Sequence, residues 1–464
     1  MLWSAALLSA CSFAPRYHKP SVAPAPPVYQ ESGEWQTAQP ADAVARGPWW
    51  RLFQDPQLDT LEGSISVANQ DLKAALARLE QARAQTRIVR AAEFPTITAG
   101  PTVTRSRTSR NAPNYDPNLP SVHNDWLAEG DLSYEIDLWG RIRNGVRAAR
   151  AGAQASAADA ATLELALHAE LASDYFQLRS LDAQQALLDH TIEAYTRALD
   201  LTQHLYDGGA APISDLQQAQ AQLEGAKTQQ ADTRLRRAQM QHGIAVLVGE
   251  SPSSFQMDAQ PLAADAAPPE VDTGLPSTLL QRRPDVAAAE RRVAQANYGI
   301  GVARAAYFPV FSLSAAAGFE SLQSANWITA PSRLWSIGPG AVLTVFDGGL
   351  HRAQTAQAQA VYDEQAADYR GVVLSAFQDV EDNLAALREL QSESRSEAAA
   401  VTATQGVLEQ ANYRYQGGLV TYLEVVTAET AALQAQLSAA DIQQRRWSAS
   451  IALIKALGGG WERH

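Results

Sequence analysis

Two stretches of the chain run without a strong helix breaker on a pattern of Ala, Leu, Gln and Glu, from about Arg141 to Tyr206 and from about Arg352 to Tyr415. No proline falls between Pro120 and Pro212, and none follows Pro339. At ~1.5 Å per residue, helices of this length span roughly 100 Å, far beyond the usual three or four turns. A Gly-Gly pair ends each tract (Gly208-Gly209 and Gly417-Gly418), and a second long helical pattern returns. Alanines spaced as Ala219 and Ala226 suit close helix packing, which isolated helices of this length require. Upstream of each tract lie a shorter helical pattern and two strand-like stretches. The shorter helices are expected over Leu58–Glu93 and Asp285–Tyr307. Phe94-Pro95 and Phe308-Pro309 end them, because proline disfavours helix in the residue before it. The strand-like stretches are TITAGPTVTRS and WLAEGDLSYEID in the first case, VFSLSAAAGFESL and IGPGAVLTVF in the second. Each alternates partially, and loops rich in Asn, Pro and Ser join each pair.

The pattern is therefore written twice. NQDLKAALARLEQARAQTRIVRAAEFP aligns without a gap with RRPDVAAAERRVAQANYGIGVARAAYFP: Asp71 with Asp285, Gln81 with Gln295, Arg90 with Arg304 and Pro95 with Pro309, 214 residues apart. Further on, Tyr206 aligns with Tyr415, Gly208-Gly209 with Gly417-Gly418 and Asp215 with Glu424, now 209 residues apart. A short length difference thus lies between the two markers. Chance likeness of alanine-rich helices would not keep both markers in the same order.

Four strands cannot close a membrane barrel. Single-chain barrels start at about eight strands, and open edges cannot face lipid. If these strands span a membrane, several copies share one barrel. Two copies give eight strands, whose side chains fill the interior, and three give twelve, which leave a pore. Beyond residue 11 no run of about 18 apolar residues suggests a spanning helix.

Composition sharpens the picture at the N-terminus. Cys11 is the only cysteine of 464 residues, so no internal disulfide framework exists. It follows Leu8-Ser9-Ala10, and Leu-x-Ala-Cys after an apolar run resembles the bacterial lipobox, in which cleavage leaves an acylated cysteine as the first residue. The alternative is a stray small residue in a disposable leader, which here lacks Lys or Arg before its apolar stretch and is short for a signal peptide. Ser12 is compatible with sorting to the outer membrane. Residues 12–48, with PSVAPAPPVYQ, are too rich in Pro, Ala and polar residues to fold alone and read as an extended arm. The formal charge of −13 argues against a nucleic-acid partner, which needs a basic surface. These readings divide the chain into a signal peptide (1–10), a lipidated arm (11–48), a first repeat (49–255), a linker (256–276) and a second repeat (277–464).

WWRLFQDPQLDTLEGSISVANQDLKAALAR, LSYEIDLWGRIR, LPSTLLQRRPDVAAAERRVAQAN, VFDGGLHRAQ and YRYQGGLVTYLEVVTAE resemble the outer-membrane efflux channel family typified by TolC, and within it the lipoprotein branch that serves RND-type pumps. The likeness runs from Cys11 to about Leu457. It implies a mixed α and β membrane protein and a homotrimer. Twelve shared strands form an outer-membrane β-barrel, continued by a periplasmic α-helical barrel. It also implies a periplasmic adaptor and an inner-membrane RND-type pump as partners, outer-membrane lipid around the barrel, and a passive role as conduit for exported drugs or other small molecules. No cofactor is implied beyond the covalent lipid on Cys11.

The resemblance further implies that the helical hairpins after Gly208, Gly209 and Gly417, Gly418 form a periplasmic gate. Tyr415 and Asp215 match a tyrosine just before the turn of the second repeat and an aspartate after the turn of the first, and a charge-assisted bond between them would contribute about 1.5–3 kcal/mol. The plainer reading is that both cap helix ends. Glu424 matches a pore-facing acid, and three copies around an axis would attract cations. Thr427 stands where some members carry a second acid, with Glu429 nearby, and Val420 stands where some carry an arginine tie.

Other chemistry is thin. His168, His190, His204 and His242 read as helix-face residues, and no H-E-x-x-H, Cys/His cluster or phosphate loop is present. No catalytic or metal-binding residue is therefore assigned, and the chain does not read as an enzyme. Asp285 after Pro284 reads as a helix start. Arg282-Arg283 would either pair with a neighbour or stay solvated. The rival class is a periplasmic adaptor or another coiled-coil lipoprotein, which would lack the duplicated strand–strand–long-helix unit.

Overall fold

Asp55 opens the first helix: its carboxylate accepts from the backbone amides of Gln57 (2.9 Å) and Leu58 (3.1 Å), and Pro56 occupies the first turn. The computed structural model describes residues 12–22, 29–32, 48–111, 113, 115–118, 120–269 and 282–459. Cys11, the leader and most of the arm lie outside the described residues. The elements run α1 (Pro56–Ala68), α2 (Gln70–Ala91), β1 (Thr96–Arg107), β2 (Val122–Ile136), α3 (Arg141–Asp207), α4 (Ile213–Leu247), α5 (Pro284–Ala305), β3 (Val310–Ser321), β4 (Arg333–Val342), α6 (Leu350–Gln416) and α7 (Tyr422–Ala456).

The duplication is visible in these bounds. α3 and α6 each have 67 residues, and α4 and α7 each have 35. β1 and β3 start 214 residues apart, whereas α3 and α6 start 209 apart. The length difference therefore sits in the second β-hairpin, where β4 has 10 residues against 15 in β2.

Three expected elements differ, the second strand beginning at Val122 rather than Trp126. The helix expected over Leu58–Glu93 is broken at Asn69, whose Oδ1 accepts from Leu72 N (2.9 Å) and whose Nδ2 donates to Leu247 O (2.8 Å). An asparagine that caps a new helix ends the old one. The last strand begins at Arg333 rather than Ile337 and stops at Val342. Val342 pairs with Val310, the first residue of β3, so Leu343–Phe346 find no partner. The start of α5 is as read: Asp285 Oδ1 accepts from Val286 N (2.9 Å), and Arg283 pairs with Asp285 (2.7 Å) and Asp379 (2.9 Å).

The described residues divide into two compact units. One comprises the chain up to Ser21 with Arg78–Ala157 and Ala288–Arg370. It holds a four-stranded antiparallel sheet in the order β1-β2-β3-β4. Pro101 and Pro339, which cannot donate to a ladder, both fall on edge strands. Ile97, Val103, Trp335, Ile337 and Val342 are exposed on this sheet. The described start of the arm docks in the same unit. Phe13 stacks on Phe308 with ring centroids 4.4 Å apart, Asn297 donates to Pro15 O (2.9 Å), and Lys19 pairs with Glu290 (2.9 Å). Gly301 makes room for this strap, since a Cβ there would lie 2.6 Å from that of Ala14.

The other unit comprises Val22–Ala77, Ala158–Ala287 and Gly371–His464. Two buried polar groupings hold it. Asp182 accepts from Arg237 Nε (2.6 Å) and Gln260 N (2.9 Å) and stands 3.5 Å from Arg179, while Arg179 donates to Asp258 O (3.0 Å) and Arg237 to Met257 O (2.9 Å). This network pins the segment after α4. The second corrects the reading of His168 as a helix-face residue. His168 is buried beneath Trp50, its Nδ1 2.6 Å from Glu62 Oε2. Burial lowers the imidazole to about 4. Burial, and then Asp59, raise Glu62 to about 9. Burial thus disfavours the charged form of both partners.

Candidate functional site

Each long helix ends in the same way. Gly209 has φ +73° and Gly418 has φ +68°, the left-handed conformation that favours glycine. Ala210 N returns to Leu205 O (2.7 Å), and Leu419 N to Arg414 O (2.9 Å), satisfying carbonyls of the last turn. Gly208 and Gly417, by contrast, have ordinary negative φ, so the left-handed requirement falls on the second glycine of each pair. After each turn Asp215 N bonds Pro212 O and Glu424 N bonds Thr421 O, both at 3.1 Å, so the two acids occupy equivalent first-turn positions of α4 and α7. Acids there favour the positive end of the helix dipole.

Their surroundings differ. Asp215 is 9% exposed, and its Oδ1 accepts from Ser214 Oγ at 3.4 Å. Glu424 is exposed and forms an ion pair with Arg414 across the Gly417-Gly418 turn (2.5 Å). Position 420 carries no arginine, and an ionic tie comes instead from Arg414, which sequence reading missed. Between exposed partners such a tie contributes at most about 1 kcal/mol.

Behind the turns the four helices of the hairpins pack on small residues. Ala219 of α4, Ala411 of α6 and Tyr422, Val425 and Ala428 of α7 form one buried cluster, bordered by Leu199 of α3 and by Tyr415. Tyr195 of α3 with Leu223 and Ala226 of α4 forms the next. The Tyr415 and Tyr422 rings lie 5.2 Å apart at 56°.

Tyr415 borders the first of these clusters and Asp215 lies close enough to act on it electrostatically, but no hydrogen bond joins the two in the single chain. The Tyr415 hydroxyl is buried without a hydrogen-bond partner. Burial raises its pKa; a loose side-chain contact with the Thr202 hydroxyl, too poor in geometry to count as a hydrogen bond, lowers it, and the Asp215 carboxylate raises it, while Thr202's own proton goes to Ala198 O (2.8 Å).

Glu429, noted from the sequence only as an acid near the pore-facing positions, is instead a buried residue. It is 7% exposed on the face of α7 that carries Tyr422, Val425 and Ala432. That spacing of three and four residues marks a buried helix face, so the signal was in the sequence.

Among the described residues no helix is long and apolar enough to cross a membrane.

Comparison with known proteins agrees with this geometry. The family described as outer membrane efflux protein matches residues 63–250 and 275–459. A probable efflux pump outer membrane protein, TtgC of Pseudomonas putida, is 32% identical over 462 residues, covering 99% of this chain and 94% of its own length. The outer membrane protein OprJ of Pseudomonas aeruginosa is 31% identical over 456 residues, covering 98% and 94%. The crystal structure of the CmeC outer membrane channel of Campylobacter jejuni superposes with a TM-score of 0.90 at 26% identity, covering 97% of this chain and 96% of that one. The duplicated strand–strand–long-helix unit that set this chain apart from adaptors is thus that of a channel, and the chain belongs to the outer membrane efflux protein family.

Proposed function

We propose that three copies of this chain assemble into one conduit, a twelve-stranded barrel in the outer membrane with a periplasmic tunnel of long helices. A periplasmic adaptor and an inner-membrane RND-type pump drive drugs or other small molecules through it. The chain itself is passive. The observation that carries this reading is the four-stranded sheet with apolar residues on its surface and two unpaired edges, β1 and β4. Such edges cannot face lipid, and joining β4 of one copy to β1 of the next removes them all. The names of relatives, such as a toluene efflux pump component and an antibiotic efflux pump component of Pseudomonas putida, support small organic molecules as cargo.

Within this reading the Gly208-Gly209 and Gly417-Gly418 turns and the helices after them form the gate. The Tyr415 hydroxyl donates to Asp215 when the channel is closed, the bond that the single chain leaves unmade. Glu424 supplies a ring of acids that draws cations, offset in part by Arg414.

Cys11 carries the lipid. Because it lies outside the duplicated body, the anchor is separable from the pore. Cys11→Ser, exported with a foreign signal peptide, loses palmitate labelling while native mass spectrometry in detergent still gives about three times the monomer mass. Labelling that persists removes the lipid assignment. Failure of the variant to form trimers makes the anchor structural, and a wild-type monomer or dimer removes the shared barrel.

A further inference from the structure

Glu429 is a carboxyl group with no evident work to do. It lies in the alanine-rich core just behind the turns, 7% exposed, and its Oε2 has no hydrogen-bond partner. Gln222 of α4 is occupied one turn away, donating to Val426 O (3.2 Å) and Thr430 Oγ1 (2.7 Å), and so does not answer it. The titratable groups facing this core are Tyr195 from α3, Asp215 from α4, Tyr415 from α6 and Tyr422 from α7 itself. The Glu429 carboxylate bears directly on two of them, holding the Tyr195 and Tyr422 phenols above their ordinary range after burial has done so. None of the four can supply a positive charge. An ionised Glu429 would thus be a buried anion among phenols and an aspartate, a costly arrangement.

We propose that Glu429 braces the closed hairpins as an uncharged acid, and that its ionisation loosens the packing of α7 against α3 and α4. The inference rests on the reading of these turns as the gate. Burial places the Glu429 carboxyl at about 7, against 4.5 for an exposed glutamate. The sign follows from proton linkage. Below 4.5 the group is neutral whether the hairpins are packed or loosened. Between 4.5 and about 7 only the packed form keeps the proton, so rising pH disfavours that form. The ratio of packed to loosened hairpins falls by up to about tenfold per pH unit in that window and levels off above it. The contribution to closure is present in acid and is lost towards neutral pH.

Two readouts on the full-length protein in detergent and in planar bilayers test this. In the wild type, amide hydrogen exchange across residues 422–433, corrected for intrinsic rates, speeds up several-fold from about pH 5 to about pH 8, and open probability rises with it. Glu429→Gln keeps the shape and removes the charge, so both become independent of pH in that window and stay at the wild type's acid level. If Glu429→Gln retains the wild-type pH dependence, the proposal is wrong. Should that variant fail to assemble, the wild type alone decides, because protection that does not change with pH also overturns the proposal. Exchange that follows pH and responds to the substitution while conductance stays flat upholds the brace and contradicts the placement of the gate.

Discussion

Tyr415→Phe channels open more readily than the wild type. The substitution removes one hydroxyl and leaves the ring that packs against Tyr422 in place. If the hydroxyl bonds Asp215 in the closed channel, each copy loses a charge-assisted bond contributing about 1.5 kcal/mol. Three copies lose roughly 4–5 kcal/mol if the losses add. A tenfold shift in population needs only about 1.4 kcal/mol, so even partial loss is measurable. Open probability in bilayers rises, and cells leak large antibiotics such as vancomycin. The sign of the change is informative because the hydroxyl is buried and unpartnered in the single chain. Were it to stay unpartnered in the assembled channel, phenylalanine would relieve a buried polar group and closure would tighten. Tighter closure, or no change with normal trimers, contradicts the latch.

The second large effect is on stability. Asp182 has a side chain only 1% exposed and faces two arginines, Arg179 and Arg237. Asp182→Ala leaves both guanidinium groups without their carboxylate, and breaking a buried pair from one side costs about 3–5 kcal/mol. The segment containing Met257, Asp258 and Gln260 loses its anchor as well, since all three bond to Arg237, Arg179 or Asp182. Thermal unfolding in detergent shows a lower midpoint, and limited proteolysis shows early cleavage near residues 255–262. The exposed pair Lys227–Glu224 is the control, because its removal costs less than about 1 kcal/mol. A midpoint for Asp182→Ala equal to that of the control would show that the network contributes little.

Sequence and structure agree most closely where a pattern is long. The two helices of 67 residues are legible because nothing in them interrupts the helical pattern, and β1 because it alternates after a punctuating proline, whereas β2 runs four residues further towards its loop than its pattern suggested. The break at Asn69 was hidden, since an asparagine inside a helical pattern reveals its capping role only through its partners, Leu72 N and Leu247 O. The bounds of β4 were hidden for a related reason: they depend on where β3 begins. His168 was misread because a single histidine on a helix does not reveal Glu62, more than a hundred residues away. At the hairpins the sequence pointed to Asp215, Tyr415 and Glu424 through their places in the repeat. It could not tell that one acid is buried and the other paired with Arg414, because burial there depends on which helices pack behind the turn.

The most direct test of the account is the electrical behaviour of the wild-type protein alone in a planar lipid bilayer. A barrel of twelve shared strands has an open interior, so purified trimers give discrete conductance steps without an adaptor or pump. With acids near the constriction, the current is carried more by cations than by anions. Folded, assembled protein that inserts into the bilayer and conducts nothing under any applied voltage would contradict the conduit itself.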